Sequence, residues 1–498
     1  MKPLRPGKKL ILAAIGLLLA LLILKIVLFL TAKPKITVDY VAEYNRTSRP
    51  QNYNPNDNAA PYYQKAFDAF VDMPDELRKP YINWPADFND IEQALLEKWL
   101  ISNTLAFEYF REALNKPYYW IERKSEKDNS VGGMTISDSA RLRKLTETLI
   151  WDAKLKTIKS QFQPAFENVL GCYRAGSHKC RPNLLLIEQH AGLRIKQDVV
   201  HGVLVILDRS KVEIEALKFL QNALQAELDN DAYVPSIQTE KYFLYDTLQR
   251  TFIDNGKGTG RLAFNVNLEY ITLGGVWPNL KQKLYYCLKG PTRNEIVEQI
   301  ERVIAISDPV MNKTPWQIKN KESDYLKEIQ KIKESNHLSE HLCASMESIF
   351  YSYHKTRART EALVAVLVIL RYKADTGQFP ESLDKLVSAG YLPALPNDPY
   401  SDGPLVYKFT EDNFKLYSIG KDFSDDGGII GVVNKARQEP GFRGTSIVPH
   451  VHSPDIVYWP VKDLMKLRYE FTFEEAEKLR AEKDAEAQKR TEEVNQPE

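Results

Sequence analysis

The stretch ALVAVLVILRYKADTGQFPESLDKL, residues 362–386, decides how the C-terminal part of the chain is read. Leu363, Val366, Leu367 and Leu370 stand at i, i+3, i+4 and i+7, which places four apolar side chains on one face of an α-helix. Gly377 suits the left-handed cap that ends such a helix. A short helix over 381–388 and a Pro-rich connection over 393–399 are expected next. Residues 405–409 and 414–418 read as strands around the turn Glu411-Asp412-Asn413, and 455–458 as a last strand. A long helix followed by a small antiparallel sheet gives residues 345–467 an α+β layout.

Towards the N-terminus the pattern is helical throughout. Asn89 and Glu92 form a capping-box pair, followed by Ile91, Leu95 and Trp99 at four-residue spacing. A second helix starts near Ser139 with Leu142, Leu145 and Leu149 on one face. Further helices are expected over 160–175, 184–207, 211–228 and 294–306, with turns at Gly176, Pro182, Pro235, Gly256 and Pro278. Residues 61–335 therefore read as a domain of antiparallel helical hairpins. Residues 310–335 look like a linker or solvated helix, 36–60 like a polar stalk, and 468–498 like a charged tail.

The first 35 residues fix the compartment. Lys2, Arg5, Lys8 and Lys9 precede an apolar run over 10–32 broken only by Lys25. That run is long enough to span a hydrocarbon core, and longer than the apolar stretch of a secretory signal. The exit Leu30-Thr31-Ala32 is also a poor cleavage site, so the segment reads as an uncleaved single-pass anchor. The basic flank keeps the N-terminus in the cytoplasm, at the inner membrane of a bacterium, with the bulk of the chain periplasmic or otherwise extracytoplasmic. In an oxidising space Cys172 and Cys180 either pair across a short loop over 173–179 or remain two thiols near a turn. The whole chain of 498 residues carries a net charge of +1 and no basic stripe, which argues against a nucleic-acid partner. Its 43% hydrophobic and 27% charged residues are those of a folded protein.

The sharpest local motif is YSIGKDFSDDGG, residues 417–428. Asp422, Ser424 and Asp426 occupy positions 1, 3 and 5 of a calcium loop and Gly427 position 6, so alternate oxygens point inward and glycine allows the turn. The twelfth position is Val433 rather than Glu, so the loop is not an EF-hand. The remaining ligands would be backbone carbonyls or a distant acid, with Asp455 the candidate.

Taken together, ALVAVLVILRYKADTGQFPESLDKLVSAGYLPALPNDPYSDGPLVYKF, then FKLYSIGKDFSDDGG, then PDIVYW resembles the globular part of the major pseudopilin of type II secretion. The motifs that carry the resemblance are Asp375, Gly377, Phe379 and Pro380, the run 390–399, the run 417–422 with Gly427 and Gly428, and Asp455-Ile456. The resemblance implies a calcium ion in the closing loop, held by Asp422 and Asp455 with Asp425 or Asp426, and needed for a stable fold. The chain departs from the family in its N-terminal part. Its anchor carries no acidic residue, and residues 36–344 separate anchor from module, so assembly into a secretion pseudopilus is not expected.

Four other motifs stand out in the chain. His337, Glu340 and His341 match the His-x-x-Glu-His pattern of inverted zinc peptidases, with Glu347 or Glu361 as the nearest third ligands, but a solvated helix accounts for them better. His190 and His201 share a helix face but sit about 16 Å apart, too far for one ion. The loop 256–260 lacks the Walker spacing, and Asn45-Arg46-Thr47 fits a glycosylation acceptor that carries little weight in a bacterial chain. The expectation is a mainly α-helical, calcium-stabilised envelope protein with an interaction or assembly role, envelope proteins as partners and no identified small-molecule substrate. The zinc peptidase is its alternative.

Overall fold

The computed structural model describes residues 6–79, 82–266, 280–335, 337–410, 412–428 and 455–461. Helix α1 (Pro6–Thr31) is long and apolar enough between Ala14 and Thr31 to cross a membrane, and within that stretch every side chain but Phe29 is exposed. Its last turn meets the body where the Phe29 ring lies 5.6 Å from Phe264. The segment expected to be a stalk is folded. Asp39 accepts the Ala42 amide and so caps α2 (Tyr40–Ser48), whose Val41 and Tyr44 are buried.

The helical region follows as α3 (Ala60–Asp68), α4 (Asp90–Ser102), α5 (Thr104–Leu114), α6 (Ser137–Ile158), α7 (Phe162–Lys179), α8 (Leu186–Arg209) and α9 (Ile214–Asp229). The Asn89–Glu92 capping box opens α4 with both reciprocal hydrogen bonds in place. Short turns fold α6, α7 and α8 back on one another as expected. Two details differ. Gly176 lies inside α7, where it faces Gly192 of α8: a Cβ on Gly192 would come 2.6 Å from the Gly176 carbonyl. Residues 173–179 likewise continue α7, so Cys172 and Cys180 stand eight residues apart along one helix, about 12 Å. That exceeds the reach of a disulfide, and both are buried free thiols.

A second cluster joins α10 (Glu240–Thr251), α12 (Arg293–Ser307) and α14 (Ser323–Lys333), with α11 (Leu280–Leu288) and α13 (Pro315–Lys321) between them. The stretch 310–335 is therefore no linker: Ile329 and Ile332 of α14 are buried against α15. Helix α15 (His337–Thr376) runs for 40 residues, about 60 Å. Its N-terminal half gives Leu342, Cys343, Met346 and Ile349 to the second cluster, and its C-terminal half belongs to the first. Gly377, at φ +82°, ends it as the cap requires.

Beyond α16 (Leu383–Ser388) lie β1 (Val406–Phe409), β2 (Phe414–Ser418) and β3 (Ile456–Trp459), antiparallel with β2 in the centre. Val406 pairs with Tyr417 and Phe409 with Phe414, while a register shift at Leu416/Tyr417 bends β2 against β3. Phe414 stacks on Trp459 at 5.5 Å and packs with Phe379 at 5.4 Å. The sheet, α15 and the helices α3 to α9 share one continuous apolar core. Replacing Gly192 by Val should separate α7 from α8 and cost about 1–3 kcal/mol; a denaturant midpoint equal to that of the parent would show that the helices do not depend on this close approach.

Candidate metal centre

The loop between β2 and β3 is shaped by carboxylates that bind backbone. Asp398, fully buried in the Pro-rich connection, accepts the Ser418 hydroxyl at 2.7 Å, the Ile419 amide at 2.9 Å and the Tyr400 amide at 3.0 Å. It thereby clamps the start of the loop. Gly420, Gly427 and Gly428 turn with φ of 72–79°, and Phe423 joins them at φ +64°, a conformation that costs a residue with a Cβ.

Within the loop, Asp425 accepts the Tyr417 hydroxyl at 2.7 Å and the Gly427 amide at 2.8 Å, and the Tyr417 bond pulls its carboxyl below the usual range. Asp455, at the start of β3, is 4% exposed and accepts the Gly428 amide at 2.6 Å through Oδ2. Its other oxygen, Oδ1, is buried with no hydrogen-bond partner. Burial pushes the Asp455 carboxyl up against the opposing pull of the Gly428 and Asp426 amides, and the negative charges of Asp425 and Asp426 add to the rise. Asp398, also raised by burial, feels the charge of Asp455 in turn.

Of the residues expected to bind a cation, the structure thus brings Asp425, Asp426 and Asp455 into one field. Asp422 and Ser424 engage one another, the Asp422 carboxylate accepting the Ser424 amide at 3.2 Å. Val433 lies outside the described residues. Among the described residues no group of three or more His, Cys, Asp or Glu side chains is arranged as a metal cage. The donors on hand are carboxylate and carbonyl oxygens, which suit a hard cation, and Oδ1 of Asp455 is the atom that lacks a partner. Asp398 was not singled out in the sequence, because a buried Asp before proline looks like an ordinary turn residue.

The rival motifs fare differently. Glu340 is exposed in the first turn of α15, while the side chains of His337 and His341 lie outside the described residues. Glu361 stands twenty residues beyond His341 on the same helix, about 30 Å away, and cannot complete a site with it. Glu347 is paired with Lys333 at 3.3 Å. The loop 256–260 turns carbonyls towards α12, where Gly258 accepts the Asn294 amide and Gly260 the Arg293 amide, which ties the loop to the start of that helix. The Asn45 side chain is held by two hydrogen bonds to the backbone of Arg123.

A buried polar cluster without any sequence signature links the N-terminal corner. Arg123 binds Asp138 through both nitrogens, at 2.5 and 3.1 Å, and also reaches Glu188. Lys179 binds Asp138 and stands 3.3 Å from Glu188, while Tyr119 and Tyr44 donate to Asp138 and Glu188 at 2.5 Å each. Two cations face two anions with no charge left over, which makes a structural clamp. Burial alone would raise the Asp138 carboxyl, but Lys179 and Arg123 hold it well below the usual range.

The fold and its loop define a mainly α-helical protein with an apolar N-terminal helix and a small antiparallel sheet. Comparison of the chain with protein-family models, with curated proteins and with solved structures finds no match.

Replacing Asp138 by Asn leaves two buried cations short of a partner and should cost about 3–5 kcal/mol at neutral pH. Because the folded-state carboxyl lies below its unfolded value of about 3.9, its contribution is fully present above that pH and is lost as pH falls from there towards the lower folded-state value. The gap between parent and D138N in urea denaturation should therefore narrow from about pH 6 to about pH 3; a gap independent of pH would mean that the ionised carboxylate is not what stabilises the corner.

Proposed function

We propose that this chain is a membrane-anchored envelope protein whose C-terminal α+β part is a calcium-stabilised, pseudopilin-like module, and whose helical body serves as an interaction or assembly surface. The observation that carries the reading is Asp455, a buried carboxylate with one unpartnered oxygen beside Asp425 and Asp426. Like charges held together out of water are unfavourable unless a cation or a proton intervenes. An oxygen-only donor set favours calcium over zinc.

In this reading α1 spans the inner membrane with its basic flank in the cytoplasm and delivers the rest to a calcium-containing space. The surroundings of its exit support that placement. Phe264, which touches Phe29, carries the Lys283 ammonium at 5.2 Å over its ring. On α11, Lys281, Tyr285 and Leu288 are exposed at i, i+4 and i+7, and exposed Lys289 follows in the turn that ends the helix. A basic, aromatic and apolar stripe of this kind suits the headgroup region of an anionic membrane.

Calcium should raise the melting temperature of the full chain in detergent, with a gain of about 2.7 kcal/mol at a hundredfold excess over the dissociation constant. Asp455→Asn should remove that response while stabilising the calcium-free protein, since it takes away a carboxylate that burial disfavours. An identical melt with calcium and with chelator would overturn the calcium reading. A fluorophore at Tyr285→Cys should be quenched by spin-labelled lipid in vesicles containing phosphatidylglycerol, unlike one at Leu326→Cys. Equal quenching of both by an aqueous reagent, with none by lipid, would place α11 away from the membrane.

A further inference from the structure

Along α4 and α5 a row of side chains faces water at the spacing of a helix–helix seam. Ile91, Ala94, Lys98, Ile101, Leu105 and Glu108 are all exposed and follow one another at alternating intervals of three and four residues. That is the repeat by which one helix packs along another. Ile91, at 82%, and Ile101, at 71%, are the most exposed large apolar side chains among the described residues, above any in α1; Leu105 is 51% exposed.

The two helices cannot turn to bury this row, because their opposite face is already committed. Leu96, Trp99, Leu100, Phe107 and Phe110 are buried in the first apolar cluster. Trp99 Nε1 donates to the Val71 carbonyl at 2.9 Å, and the Asn103 side chain binds both the carbonyl and the amide of Val71. Asn103 is the one residue between the helices, at φ −92° and ψ 5°. Its amide donates to the Leu100 carbonyl at 3.1 Å and its carbonyl accepts the Phe107 amide at 3.0 Å, so hydrogen bonding runs on from α4 into α5.

The row is self-complementary about Asn103. Lys98 and Glu108 stand five residues to either side of it, Ile101 and Leu105 two. Neither Lys98 nor Glu108 has an ion pair among the described residues. Two copies laid antiparallel about this point set Lys98 against the partner's Glu108 and Ile101 against the partner's Leu105, each pair occurring twice by symmetry. A parallel alignment would set lysine against lysine and glutamate against glutamate, which is repulsive. We propose that the face of α4 and α5 centred on Asn103 is a homodimer contact, packed antiparallel on the same face of a second copy of this chain. It uses no residue of α1 or of the calcium loop, so it stands apart from both of those readings.

The test is disulfide coupling between full-length chains in detergent, where the four native cysteines are buried and leave a low background. Ile101→Cys and Leu105→Cys proteins, mixed under a mild oxidant, should couple to one another faster than two chains carrying Leu326→Cys, an exposed position on α14. Lys98→Glu introduced into both partners should slow the coupling by roughly tenfold, since each reversal creates two like-charge contacts across the symmetry axis. Adding Glu108→Lys to both should restore it. All four substituted side chains are exposed, so the variants keep the core of the parent. Coupling no faster than that of the Leu326→Cys chains would overturn the proposal. So would coupling that the first reversal leaves unchanged or the second fails to restore.

Discussion

Between Ala362 and Ile369 every side chain of α15 is at most 3% exposed. A helix that is apolar all round cannot be satisfied by one neighbour; it needs partners about its whole circumference. Helices α8 and α9 cover one side, and α16 with strands β2 and β3 cover the other. Because the N-terminal half of the same helix packs with α12 and α14, one element carries both apolar clusters. The C-terminal sheet, with three short strands among the described residues, rests its apolar face on this helix.

Charge balance separates the buried polar groups into two kinds. In the corner built by Tyr44, Arg123, Asp138, Lys179 and Glu188, opposite charges cancel and the named phenol and carboxylate groups are bonded to one another. Such a cluster fixes how α2, α6, α7 and α8 meet, since losing any member strands the rest in a low-dielectric interior. Along α15 and in the loop after β2 that pairing is incomplete. Asp455 keeps one oxygen without a hydrogen-bond partner, and Lys355 and Arg359 are half-buried without an ion pair among the described residues. Buried groups left unmatched by their own chain are where a ligand has most to gain.

Much of the secondary structure was legible. The stripe from Leu363 to Leu370, the capping box at Asn89, the cap at Gly377 and the strand 414–418 all depend on neighbours within a few residues, and all stand where the pattern puts them. The misreadings have a common cause. Gly176 looked like a turn because glycine is rare inside helices, but it is there to let α7 approach α8. The segments 36–60 and 310–335 looked solvated because their few apolar residues, such as Tyr44 and Ile329, are buried by distant partners.

The sequence by itself determined what short-range periodicity and composition can encode: helices, their caps, a hairpin of strands, an N-terminal segment apolar enough to cross a membrane, and an acidic glycine-containing loop. Only the tertiary structure decided which charges meet. Asp138 and Glu188 share Lys179 across 41 and 9 residues, and Gly428 finds Asp455 across 27. Pairings of that range follow from how helices and strands pack in three dimensions, and no local pattern of residues records them.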